Sequence, residues 1–92
     1  MNQVKGYIYR GDGKLTIMDV HISKIGQYTN KGNCYIAPSK EDLITHFEDS
    51  YGYHISNAKS NDEKEKYQKQ LEIIINDIEN GEVVYENITW WI

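Results

Sequence analysis

Two runs rich in β-branched and aromatic residues open the chain, QVKGYIY at 3–9 and KLTIMDVHI at 14–22, each with partial alternation of apolar and polar positions. A period of two predicts a pair of strands, the second extending to Ile25. Arg10-Gly11-Asp12-Gly13 separates them. Asp-Gly between two such runs predicts a tight hairpin, because glycine takes up the positive φ of the turn without steric cost. The same residues spell an RGD triplet and a Gly-Lys pair. A phosphate-binding loop, however, needs glycine at position 8 and Ser or Thr at position 15, where Ile8 and Leu15 stand. RGD recognition needs an extracellular setting, for which the sequence gives no sign. A turn at Asn30-Lys31-Gly32-Asn33 then leads to a short third strand, CYIA at 34–37, which Pro38 stops.

From residue 39 the period lengthens. SKEDLITHFEDSYG predicts a helix with Ser39 as N-cap, Asp42 three positions on as a capping-box-like acid, and Gly52 as its C-terminal stop. Leu43, Ile44 and Phe47 supply its apolar face, and YHISNAKS at 53–60 reads as a connector. A second helix starts at a cap formed by Ser60 or Asn61, with Glu63 completing S-x-x-E. Tyr67, Leu71, Ile74 and Ile78 form its inward stripe, widened by Ile75. Glu63, Lys64, Glu65, Lys66 and Lys69 form the wet face, where Glu65 and Lys69 in the favourable order add about 0.2–0.5 kcal/mol. Asn80-Gly81 ends the helix. EVVYENITWWI then predicts a last strand with Val84, Ile88, Trp90 and Ile92 on the inward face and Val83, Tyr85 and Trp91 on the other.

The order β-β-β-α-α-β predicts a small single α+β domain over residues 1–92, an antiparallel-dominated sheet of about four strands with two helices on one face. The last strand is expected to insert beside or pair with an early one, since two tryptophans on a frayed end would expose costly apolar surface.

Composition narrows the function. Ninety-two residues leave little core for a deep cleft. Ten basic residues against fourteen acidic give a net charge of −4, which argues against direct binding of nucleic acid. The single cysteine and the lack of a long apolar run or signal-like start point to a reducing cytoplasm and away from membranes.

His46, Glu48, Asp49 and His54 are the one cluster suited to metal or acid/base chemistry, but their spacing matches no specific metal pattern. Cys34 with His21 on a neighbouring strand is a weaker nucleophile and base pair, because a strand cysteine is usually a buried apolar group. No elbow, C-x-x-C pair or dinucleotide fingerprint is present, so no cofactor and no enzymatic activity are expected. Eight tyrosines and two tryptophans against one phenylalanine favour rings with a polar handle, the kind enriched at protein interfaces. Trp91 and Tyr85 lead as partner-binding residues, with Tyr51 and Tyr53 flanking Gly52 as a second pair.

These features together predict a non-enzymatic protein-binding module. It has the profile of small acidic inhibitors of larger nucleic-acid-handling proteins, of the immunity or phage anti-defence type. Three alternatives remain: a small-ligand sensor, a metal-dependent hydrolase built on His46, Asp49 and His54, and a homodimer formed through the last strand.

Overall fold

A computed structural model describes residues 2–30 and 33–86. Strands β1 (Gln3–Tyr9) and β2 (Lys14–His21) form the expected antiparallel hairpin, in register from Gln3↔His21 to Tyr9↔Leu15. Gly11 and Gly13 take φ of 84° and 76°, and Asp12 Oδ1 accepts the Lys14 amide hydrogen at 3.1 Å. The busy motif is thus a turn, held by two left-handed glycines and one Asp side chain.

This register puts Val4, Gly6, Ile8, Thr16, Met18 and Val20 on one face and Tyr7, Tyr9, Leu15 and Ile17 on the other. Strand β2 is buried on both. Helices α1 (Lys40–Ser56) and α2 (Asn61–Asn80) cover the second face, where Leu43 and Ile78 pack with Leu15, Ile17 and Ala37, bordered by Ile44, Phe47 and Ile74. Ile36 covers the first face against Ile8, Met18 and Val20, with Val4, Ile25 and Cys34 at the margin. Both helices start on the expected serines: Ser39 Oγ accepts from the Asp42 amide at 3.1 Å and Ser60 Oγ from the Glu63 amide at 3.2 Å.

Four expectations need correction. The second strand ends at His21 rather than Ile25, and a short 3₁₀ turn (Ile22–Lys24) follows. The third strand shrinks to two isolated bridges, Tyr7↔Ala37 and Tyr28↔Tyr35, so among the described residues the sheet has three strands, not four. Segment 34–37 lies along the β1 edge with Cys34 and Ile36 packed to one face and Tyr35 and Ala37 to the other, but only Ala37 exchanges hydrogen bonds with Tyr7.

Strand β3 (Glu82–Glu86) lies beside β2 but runs parallel to it, from Lys14↔Glu82 to Met18↔Glu86, which makes the sheet mixed in the order β1-β2-β3. The cause is local. Helix α2 delivers the chain to the hairpin end, where Gly81 packs so closely on Gly13 that an added Cβ would lie 2.6 Å from the Gly13 carbonyl oxygen and collide with that of Asp77. Strand β3 therefore starts where β2 starts. Gly81 is needed for this close approach and not for an unusual φ, since its φ of −73° is open to any residue.

The fourth correction concerns Gly52, which lies inside α1 rather than ending it. The last turn of α1 is held by packing on α2 through Tyr51 and Tyr67, and Asn57 finishes it by donating its side-chain amide to the Tyr53 carbonyl at 2.8 Å. Tertiary contacts of this kind outweigh the roughly 1 kcal/mol that glycine costs in a helix. The inward and outward pattern of the last strand holds for Val84, which is half-buried, and for Val83 and Tyr85, which are exposed. Ile88, Trp90, Trp91 and Ile92 lie outside the described residues.

The molecule measures 49 × 24 × 21 Å with a radius of gyration of 14.1 Å, against about 12 Å for a compact chain of this length. Among the described residues, no helix is long and apolar enough to cross a membrane.

Gly6 is a sensitive packing point, because a Cβ there would sit 2.9 Å from Ile36 Cγ2 and 3.0 Å from Val20 Cγ2. Gly6→Ala is expected to cost about 1–3 kcal/mol, read as a lowered urea midpoint. An unchanged midpoint would mean that Ile36 is not pressed on the sheet as described.

Candidate functional site

Among the described residues, the exposed aromatic residues fall into three places. The first is on β3, where Tyr85 is 73% exposed and Val83 38%. Pairing with Ile17 and Leu15 puts both on the sheet face that carries the helices, and there they stay uncovered. On the same face Lys5 Nζ and Asp19 Oδ1 form a surface ion pair at 2.9 Å, which raises the Lys5 pKa through its hydrogen bond and charge. Such a pair adds little stability and acts as a polar rim.

The second place is the helical hairpin. His54 lies nearly parallel to Tyr67 at 5.3 Å, Tyr51 meets both edge-on, and Tyr53 is 68% exposed beside His54. Of the pair flanking Gly52, Tyr53 is thus presented outward, while Tyr51 is half-buried in contacts between the helices. Trp91, the other leading partner-binding residue, lies outside the described residues.

The third place had no clear signature in the sequence. Tyr35 and His46 stack at 3.9 Å with their planes 3° apart, and Tyr28 meets both edge-on, its hydroxyl 3.4 Å from His46 Nε2. Phe47 and Tyr9 continue the cluster inward, edge to face at 5.7 Å. Tyr9 donates its hydroxyl hydrogen to Asp77 Oδ2 at 2.6 Å, linking β1 to α2 across 68 residues. Burial, followed by that hydrogen bond and the Asp77 charge, pushes the Tyr9 hydroxyl pKa well above its usual value. Only the odd concentration of tyrosines hinted at these contacts.

His46, Asp49 and His54 do not converge. The unbroken α1 separates His46 from His54 by eight residues, about 12 Å along the axis, and no group of three potential metal-ligating side chains occurs among the described residues. Cys34 packs against the Ile8 cluster, and burial pushes its thiol pKa up, away from the reactive thiolate. His21 Nδ1 faces Ser23, 3.1 Å from its amide nitrogen and 2.7 Å from its hydroxyl.

Charge is divided along the chain. Glu72, Asp77, Glu79, Glu82 and Glu86 lie in the last 23 residues, which hold no Lys or Arg, so the net charge of −4 is −5 from this part and +1 from the rest. The second half of α2 and strand β3 are thus the acidic part of the sequence, although Glu82 and Glu86 pair with Lys14 and Met18 and so lie on the sheet face opposite to Tyr85, and Glu82 forms an ion pair with Lys14 at 3.8 Å. Glu86 is partly neutralised there by Arg10, whose guanidinium lies 2.7 Å from its carboxylate.

Comparison with known proteins finds no matching family model, curated protein or solved structure. The geometry alone therefore carries the functional reading.

Two outcomes are expected. Tyr9→Phe should lower stability by about 1.5 kcal/mol, the lower end for a hydrogen bond to a charged group, measured by urea unfolding; no loss would show that the Asp77 contact is not formed in solution. For His46, burial lowers the pKa against a smaller opposing effect of Asp49, so the unfolded chain binds the proton more readily. Stability should then fall as pH drops through the ordinary histidine range and level off below the folded pKa. Melting curves from about pH 8 to pH 5 should show a weaker dependence in His46→Gln than in the parent, and parallel curves would refute the assignment.

Proposed function

We propose that the protein is a non-enzymatic protein-binding module, an inhibitor that docks on a basic surface of a larger nucleic-acid-handling protein. The supporting observation is Tyr85, 73% exposed beside Val83 on strand β3, in the part of the chain that bears five acids and no base. A tyrosine buries a large apolar ring at low entropic cost and tolerates water through its hydroxyl, which suits a surface that is exposed until its partner arrives. The net negative charge of this part of the chain steers a basic partner and repels acidic ones, so it acts on association rate and selectivity more than on final affinity.

Blocking is steric in this reading. An inhibitor needs no catalytic group, and an acidic face over a cationic groove competes with the phosphate backbone that the groove normally holds. This profile fits inhibitors of the immunity and phage anti-defence type, working in the cytoplasm. Tyr53, on the distal part of the helical hairpin, is the second contact residue. The elongated shape allows a footprint wider than the sheet alone.

The test places a photo-crosslinking amino acid at position 85, and at exposed Lys64 as control, in cells of the source. One dominant adduct at 85, competed by unlabelled protein, is expected. Tyr85→Ala should weaken binding to that adduct partner by about thirtyfold, as for a hot-spot residue, with the melting temperature little changed. Equal labelling at both positions, or a Tyr85→Ala variant that loses stability instead of binding, would overturn the proposal.

A further inference from the structure

Between Ile25, Tyr35 and Pro38 on one side and helix α1 on the other lies an open groove of about 320 Å³, at the small end of the range for ligand sites and suited to a single side chain. Its aromatic part is the Tyr35–His46 stack described above, with the two planes 3° apart. Tyr28 stands edge-on to both rings, at 5.6 and 5.9 Å, so neither ring turns without disturbing another. Ile25 and Pro38 add apolar surface. The slab is therefore set before any ligand arrives, and binding loses little side-chain freedom.

Its charge is of one sign. Asp42 and Asp49 line the groove from the same helix as His46, and no Lys or Arg is among the lining residues. None of the ion pairs among the described residues uses either carboxylate. Burial favours the neutral form of His46, so it does little to offset them. Seven residues, about 10 Å of helix, separate the two acids, so a cation between them feels both but forks onto only one. An aromatic slab bordered by carboxylates suits a planar guanidinium, which stacks on rings and bonds a carboxylate through two N–H groups. Lysine, a strongly hydrated point charge, exploits that geometry less well.

We infer that the groove between Ile25, Tyr35 and Pro38 and helix α1 is an arginine-recognition site, filled by an arginine side chain of a partner protein. The groove uses none of the residues around Tyr85, so its arginine binding is measured separately from the docking proposed above, and either can fail alone.

The experiment is an amide NMR titration of the whole chain with a capped Gly-Arg-Gly peptide and with matched lysine and citrulline peptides. Citrulline keeps the shape and polarity of arginine but has no charge. Saturable shifts confined to residues 35–38 and 42–49 are expected with arginine, at least about threefold weaker binding with lysine, and none with citrulline. Asp42→Asn and Asp49→Asn together should weaken arginine binding about tenfold with the spectrum otherwise that of the folded parent. Absence of saturable shifts with arginine overturns the inference. So does equal binding of lysine, which means a general acidic surface, or equal binding of citrulline, which means no role for charge. The peptide comparison needs no variant, so it stands even if the double substitution perturbs folding.

Discussion

The burial of β2 on both faces is the constraint on which the rest depends. Leu15 and Ile17 point to the helices, and Thr16, Met18 and Val20 to the other side, all at most 6% exposed. Two separate layers must therefore be recruited, α1 with α2 on one face and Ile25, Cys34 and Ile36 from the segment between β2 and α1 on the other. A chain of 92 residues has little material for both. It manages by using a loop as the second layer, anchored by the exchange of backbone hydrogen bonds between Tyr7 and Ala37 at 2.8 and 3.0 Å.

Two close approaches make this economy possible, and both depend on glycine as the smallest residue. Gly6 lets Ile36 settle on the sheet, and Gly81 lets the end of α2 touch the hairpin at Gly13. The second contact also fixes direction, since a chain arriving at the hairpin end can pair with β2 only by running alongside it. A parallel strand here follows from where the helical pair delivers the chain, and the whole stretch from 22 to 81 serves as the crossover that parallel pairing requires.

The layered arrangement also decides which aromatic residues are available to a partner. The helical pair covers Tyr7 and Tyr9 but not Tyr85, which keeps its ring in water. Residues 33–38, whose Ile36 fills the core, bring Tyr35 up to His46 beside Tyr28 and so form the aromatic wall of the groove. Packing and recognition therefore share residues. The same is true of Tyr9, whose ring is in the core and whose hydroxyl ties β1 to Asp77.

The local elements could be read directly from the sequence. The β1–β2 turn at Gly11-Asp12-Gly13, the serine caps of both helices, the α2 stripe ending at Ile78 and the exposure of Tyr85 all follow from period, capping chemistry and glycine conformation, which act over a few residues. The continuation of α1 through Gly52, the loss of the 34–37 strand, the parallel direction of β3 and the meeting of Tyr35 with His46 did not. Each is settled by contacts between residues far apart in the chain, whose energies exceed the local preferences of about 1 kcal/mol that a sequence displays. Composition alone revealed that this protein is acidic and rich in tyrosine. Only the fold left Tyr85 uncovered beside Val83 and set His46 flat against Tyr35, because a ring becomes a surface when packing decides what lies beside it.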